Sequence, residues 1–121
     1  MMKKDNIIWD KSKGFAVRII KLCQFLSKDQ REFVLSKQLL RSGTSIGANV
    51  REAHHAMSNA EFRAKMNIAL KEASETEYWL ELLQETGYLT KEQFDSIYQD
   101  SNEINKLLIS IIKKLNQKSH L

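Results

Sequence analysis

Proline is absent from all 121 residues, and there are only four glycines and one cysteine. A chain with so little turn punctuation is poorly suited to a β-sandwich or barrel and well suited to long helices joined by short connections. Cys23 has no second thiol to pair with, and at a helical core position it reads as a small buried hydrophobe. No apolar run approaches the roughly 20 residues of a membrane span, and no secretory leader is visible, so a cytoplasmic location away from membranes is expected. Glycine-rich phosphate loops, nucleophile elbows and Cys/His zinc spacings are missing too. Neither a catalytic residue nor a cofactor is therefore expected, and the chain reads as a non-enzyme. The length fits one domain over residues 1–121, able to bury roughly two-thirds of its unfolded surface without a staple.

What the sequence does contain is apolar residues at helical spacing. Phe15, Ile19, Leu22, Cys23 and Leu26 share one face of a helix expected over about 12–27. Asp29 with Glu32 reads as a capping box opening a second helix, about 30–56, whose core line is Leu35, Leu39, Ile46, Val50 and Ala53. Ser58 with Glu61, stapled by Met57 and Phe62, opens a third over about 59–86, which Gly87 ends. Thr90 with Gln93, stapled by Leu89 and Phe94, opens a fourth over about 91–117, with Ile97, Ile104, Leu108 and Ile111 along its stripe. Lys113, Lys114 and Lys118 suit the negative end of its dipole. Short connections make consecutive helices antiparallel neighbours, so the fold class is all-α, an antiparallel up-down-up-down four-helix bundle. The first eleven residues read as a polar, frayed end in which Ile7, Ile8 and Trp9 dock onto the bundle or a partner. The third helix carries a second apolar stripe, Ala64, Ile68, Trp79 and Leu82, which points to burial against another subunit.

Charge is unevenly distributed. Residues 1–51 hold 11 Lys and Arg against 4 Asp and Glu, residues 52–105 hold 4 against 11, and residues 106–121 hold 4 against none. The basic parts therefore face a polyanion, or the halves complement one another between subunits. On the second helix Lys37, Arg41, Arg51 and His55 lie opposite the core line, with only Thr44 and Ala48 between them, as a basic strip free of acid. These four are the candidate nucleic-acid-binding residues. No exposed aromatic for stacking bases is evident, so binding would be phosphate-driven and weakly sequence-specific. The flank of Ser36, Gly43, Gly47 and His54 is small and flat, and two helical glycines costing about 1 kcal/mol each imply the close approach of another helix or a kink near Ser42–Ser45.

Other constellations are weaker. Glu52 and His55 form one Glu-x-x-His pair, whereas a di-iron bundle needs two and further inward glutamates, so no metal is expected. His54 reads as a packed or interface histidine, and His120 carries no weight. Glu77, Glu81 and Glu85 climb one face as a solvated acidic ridge, and Glu75, beside Trp79, reads as half of an interhelical or intersubunit salt bridge.

The runs Gln38-Leu39-Leu40-Arg41 and Ser45-Ile46-Gly47-Ala48-Asn49-Val50-Arg51-Glu52, then Glu61-Phe62, Ile68-Ala69 and Glu75-x-Glu77, resemble the motifs of bacterial four-helix bundle proteins encoded in 23S rRNA intervening sequences. The similarity covers roughly residues 7 to 117. It implies a bundle assembling as a homopentameric ring, with a relationship to accessory proteins of diversity-generating retroelements that bind nucleic acid and a reverse transcriptase. Arg41, Ser45, Ile46, Asn49, Glu52, Glu75 and Glu77 match the family pattern, and their positions beside the core point to structural hydrogen bonding. Ala53 and Glu72 depart from it, and the common proline before the second helix is missing. The expected function is thus an oligomeric scaffold that binds RNA or DNA. The alternative is a protein-interaction module whose acidic ridge docks a basic partner, and a third class is a metal enzyme built on Glu52, His55 and Glu75.

Overall fold

The computed structural model describes residues 3–119, which form four helices: α1 Lys3–Lys28, α2 Leu35–His54, α3 Asn59–Glu85 and α4 Lys91–Ser119. No strand occurs among the described residues. Cross-helix contacts fix the directions. Cys23 meets Ser36 while Ser12 meets Gly47, so numbering falls on α2 as it rises on α1. The same holds for Ser42 with Thr76 and Glu52 with Lys65, and for Tyr98 with Glu81 and Arg63 with Asn116. Lys11 with Glu103 and Arg18 with Asp100 close α4 back onto α1. The result is a four-cornered antiparallel bundle in which each helix touches its two neighbours and meets the fourth only across the core.

The core follows from the 3.6-residue period. Ile8, Phe15, Ile19 and Leu26 of α1 interleave with Leu39, Ile46 and Val50 of α2, Met66, Leu80 and Leu83 of α3, and Ile97, Ile104 and Leu108 of α4. Each such side chain, withdrawn from water, stabilises the fold by roughly 1.5–3 kcal/mol.

Two helix starts differ from the sequence reading. Helix α1 begins nine residues before Ser12, because Ile8 falls seven residues ahead of Phe15 and is fully buried in the same stripe. The expected frayed end is helix, and only Met1 and Met2 of it lie outside the described residues. Helix α2 starts at Leu35, not near Gln30, because Arg31 turns left-handed at φ 56° and breaks the chain direction. The Asp29–Glu32 capping box does not form. Glu32 itself folds inward, 7% exposed, and its carboxylate accepts the N–H groups of Val34, Leu35 and Ser36 at 3.1, 2.8 and 2.7 Å. A carboxylate on the first-turn amides satisfies orphan donors and opposes the positive end of the helix dipole.

The remaining caps follow their sequence signals with one exception. Ser58 accepts from the Glu61 N–H at 3.1 Å, but the Glu61 carboxylate takes the Met57 N–H, one residue further back than the box expects. Met57 is 92% exposed, so it staples nothing. Thr90 and Gln93 exchange both bonds, at 2.9 and 3.1 Å. Gly87, at φ 86°, ends α3 with its N–H on the Gln84 carbonyl and that of Tyr88 on the Leu83 carbonyl.

The two small-flank glycines face α1. A β-carbon on Gly43 would lie 2.8 Å from Ile19 Cγ2, and one on Gly47 would lie 3.4 Å from the Ser12 carbonyl oxygen. Helix α2 runs unbroken through Ser42–Ser45, so close approach rather than a kink accounts for them. Gly14 is different: nothing lies within 4 Å of the β-carbon it lacks. Gly14→Ala is expected to raise stability by up to about 1 kcal/mol through helix propensity and the unfolded state. Gly43→Ala should lower it by about 1–3 kcal/mol through collision with Ile19. Urea unfolding of both variants checks this, and equal shifts of one sign would contradict the seam described.

Candidate nucleic-acid interface

The four residues of the expected basic strip, Lys37, Arg41, Arg51 and His55, all lie exposed along α2 and at its C-terminal end. Arg41 is turned aside: its guanidinium is paired with Glu75 and lies 3.3 Å from Glu72, both on α3. No acid lies within the strip on α2 itself, but the antiparallel neighbour brings acids to its edge. Arg41 thus ties α2 to α3, and its charge is largely answered there. Lys37 precedes Arg51 by 14 residues, about 21 Å along the helix axis, so it cannot share one phosphate cluster with it.

At the other end of α2 the arrangement is tighter. The Arg51 guanidinium stacks 4.5 Å over the Trp9 ring, which α1 supplies because it begins early enough to reach this level. His54 stands edge-on to Trp9 at 5.0 Å and to Phe62 at 5.9 Å, and its Nδ1 sits 2.7 Å from the Val50 carbonyl oxygen. It is the packed histidine the sequence indicated. His55 is exposed at the helix end, its backbone N–H on the Glu52 carbonyl. Lys113 and Lys114, exposed near the end of α4, emerge at this same end of the bundle. His120 lies outside the described residues.

Folding therefore converts the uneven charge along the chain into a polarity along the bundle axis. Among the described side chains, the half containing the α2–α3 turn, residues 6–12, 47–71 and 106–117, carries 8 Lys and Arg against 3 Asp and Glu. The opposite half carries 8 against 11. Sequence reasoning missed this basic end because it depends on which helix ends come together. The usable signal was the apolar group Ile7, Ile8 and Trp9 in an otherwise polar N-terminal segment. Two exposed aromatics, Phe33 and Tyr78, correct the expectation that none stands free, but both lie in the acidic half.

The residues of the quoted motifs form the α2–α3 and α3–α4 seams. Ser45 donates to the Arg41 carbonyl at 2.5 Å and Asn49 to the Ser45 carbonyl at 2.8 Å, while Ile46 is fully buried. Glu52 reaches Lys65 at 3.5 Å, and Glu75 also accepts the Trp79 indole N–H at 3.2 Å. Glu75 is thus the interhelical ion-pair partner foreseen. Glu52 lies 11 positions along α2 from Arg41, which marks the level of Glu75, a rise of about 16 Å, so Glu52, His55 and Glu75 do not converge on a metal. The Cys23 thiol, 3.3 Å from the Ser36 carbonyl, is pushed up to about 11, first by burial and then by the Glu32 charge. It stays protonated at neutral pH and is a poor nucleophile.

Glu77 departs from the solvated ridge expected of it. It turns into the α3–α4 seam, where the Asn105 amide and, at 3.4 Å, the Tyr98 hydroxyl donate to it, leaving Glu81 and Glu85 exposed. Burial raises its pKa, the two donors oppose that, and the Glu81 charge adds to it. Tyr98 is pushed up to about 12, by burial and then by the charges of Glu77 and Glu81. Because the folded-state pKa of Glu77 lies above its unfolded value, its contribution is most favourable below the unfolded pKa and is lost as pH rises through the folded one. Glu77→Gln should therefore compare better with the unaltered protein at pH 7 than at pH 3 in urea unfolding. A difference that is the same at both pH values contradicts this.

Comparison with known proteins agrees with the geometry. No curated protein matches the chain. A crystal structure at 1.70 Å of a protein of unknown function from the S23 ribosomal protein family, from Bacteroides thetaiotaomicron VPI-5482, superposes with a TM-score of 0.90 at 68% identity. The match covers 91% of this chain and 98% of that one. The family of 23S rRNA-intervening sequence proteins matches over residues 4–110, and the chain belongs to it.

Proposed function

We propose that the protein is a non-enzymatic, cytoplasmic, homo-oligomeric scaffold that binds structured RNA or DNA through its basic end. The observation that carries this reading is the excess of cations in the half bearing the α2–α3 turn, where Arg51 is held ready on Trp9. A guanidinium stacked on an indole has already lost much of its rotamer freedom, so less is lost when it takes a phosphate. Around it, His55, Lys113 and Lys114 are exposed and add positive charge without a fixed base-reading geometry. Arg41 belongs to the seam with α3 and is not a contact residue in this reading. The family's tie to 23S rRNA intervening sequences favours RNA as the polyanion.

Assembly into a ring, with five copies as the family resemblance implies, would repeat the basic end around an axis. Weak phosphate contacts then add through effective concentration. A protein partner docking on the acidic half is the second reading, favoured by the exposed Glu81, Glu85 and Tyr78 on α3.

Labelled structured RNA and duplex DNA titrated across a salt series separate the two. Affinity should fall steeply with salt, and each duplex phosphate contact removed should shallow the logarithmic slope by about 0.9. Arg51→Glu with Lys113→Glu should weaken binding at least about tenfold at low salt with assembly mass unchanged, because a reversed charge repels phosphate as well as losing a contact. Binding that ignores these substitutions or ignores salt overturns the reading.

A further inference from the structure

The basic end also carries apolar and aromatic surface that phosphate contacts alone do not use. Met57, in the α2–α3 turn, is 92% exposed, the most exposed large hydrophobic among the described residues. Trp9 and Phe62 are half-buried at the same end, and His54 stands edge-on to both. Between Met57 and Phe62 lies an open depression of about 480 Å³ whose walls include Ala53, His54 and Asn59. That volume falls in the roughly 300–1,000 Å³ range of small-ligand sites. All of its lining comes from one turn, residues 53–62, so it is too short to seat a partner helix and suits one planar group.

Charge is arranged around the depression, not in it. Arg51 and His54 are three positions apart and share a face of α2, so the guanidinium held on Trp9 stands beside the opening. His55 is exposed at the same turn. The nearby acid, Glu61, has its carboxylate on the Met57 N–H at 3.0 Å. A phosphate is thus drawn to Arg51 and kept from the depression, which favours an uncharged occupant.

We propose that the depression takes an unpaired nucleobase, so that the basic end binds RNA at a loop or bulge and not along a duplex. A phosphate of the splayed strand lies on Arg51, and the base enters between Met57 and Phe62. A base inside a duplex is stacked and paired and cannot enter, whereas a loop base is already turned out. Every base has a π face, and thioether and aromatic side chains both pack against one, so the site tolerates any base. This inference rests on the polyanion reading of the basic end and names the form of nucleic acid that end accepts.

Two RNAs of equal phosphate number test it, a hairpin with an unpaired loop and a fully paired duplex, titrated across one salt series against the full chain. The hairpin should bind at least about fivefold tighter, the smallest effect expected of one stacked base. Met57→Ala and Phe62→Leu should each remove most of that preference. Duplex affinity and both salt slopes should stay unchanged, because neither substitution alters a charge. Met57 is almost wholly exposed, so its variant keeps the fold, and Phe62→Leu retains an apolar side chain beside His54. Equal affinity for the two RNAs, or variants that weaken both alike, overturns the proposal while salt-dependent binding still upholds the polyanion reading. Binding of neither RNA overturns both and leaves the depression to an apolar side chain of a protein partner.

Discussion

Ile19 occupies the space where a β-carbon on Gly43 would have to be, and much of the bundle depends on that fit. Without side chains on Gly43 and Gly47, α2 settles close against α1, and the Ser12 carbonyl and Cys23 thiol come into contact range of it. Two glycines weaken α2 as an isolated helix by about 1 kcal/mol each, and the buried contact with Ile19 and its neighbours offsets this. The close seam also sets the rotation of α2. With its small flank on α1 and Leu39, Ile46 and Val50 in the core, Arg41 is turned towards α3 and Arg51 towards Trp9.

That rotation separates structural charges from available ones. Arg41, Glu72 and Glu75 answer one another across α2 and α3, and Lys11, Arg18, Asp100 and Glu103 do the same across α1 and α4. Each exposed pair contributes little to stability, up to about 1 kcal/mol. Their larger effect is to leave the excess cations at one end and the excess acids at the other. Antiparallel wrapping brings the cations beside the α2–α3 turn and the basic end of α4 together, while the acidic second half of α3 meets the acidic first half of α4. A field of this kind orients a polyanion towards one end before any specific contact forms.

Most of the fold was legible in the sequence because helical periodicity and local caps are short-range signals. The four stripes, the Thr90–Gln93 box and the role of Gly87 follow from residues within a few turns of one another. The motifs around Arg41 and Asn49 resembled the family that the chain proves to belong to. What was not legible needed either an uncommon local geometry or a tertiary neighbour. Glu32 caps α2 by folding inward after a left-handed Arg31, which its spacing from Asp29 does not announce. Trp9, read with Ile7 and Ile8 as part of a frayed end, gave no sign that it holds the arginine at the basic end. Arg41 looked free because its partners lie more than thirty positions away on α3.

The central claim of the proposed function is that the basic end of the bundle is the surface that meets a polyanion. Amide hydrogen exchange on the protein, with and without structured RNA at low salt, tests it most directly. The account predicts RNA-dependent slowing confined to residues around 51–62 and 106–117. It also predicts that exchange at residues around 17–40 does not respond to RNA. Slowing centred on residues 72–92, or none anywhere while RNA is bound, would contradict it.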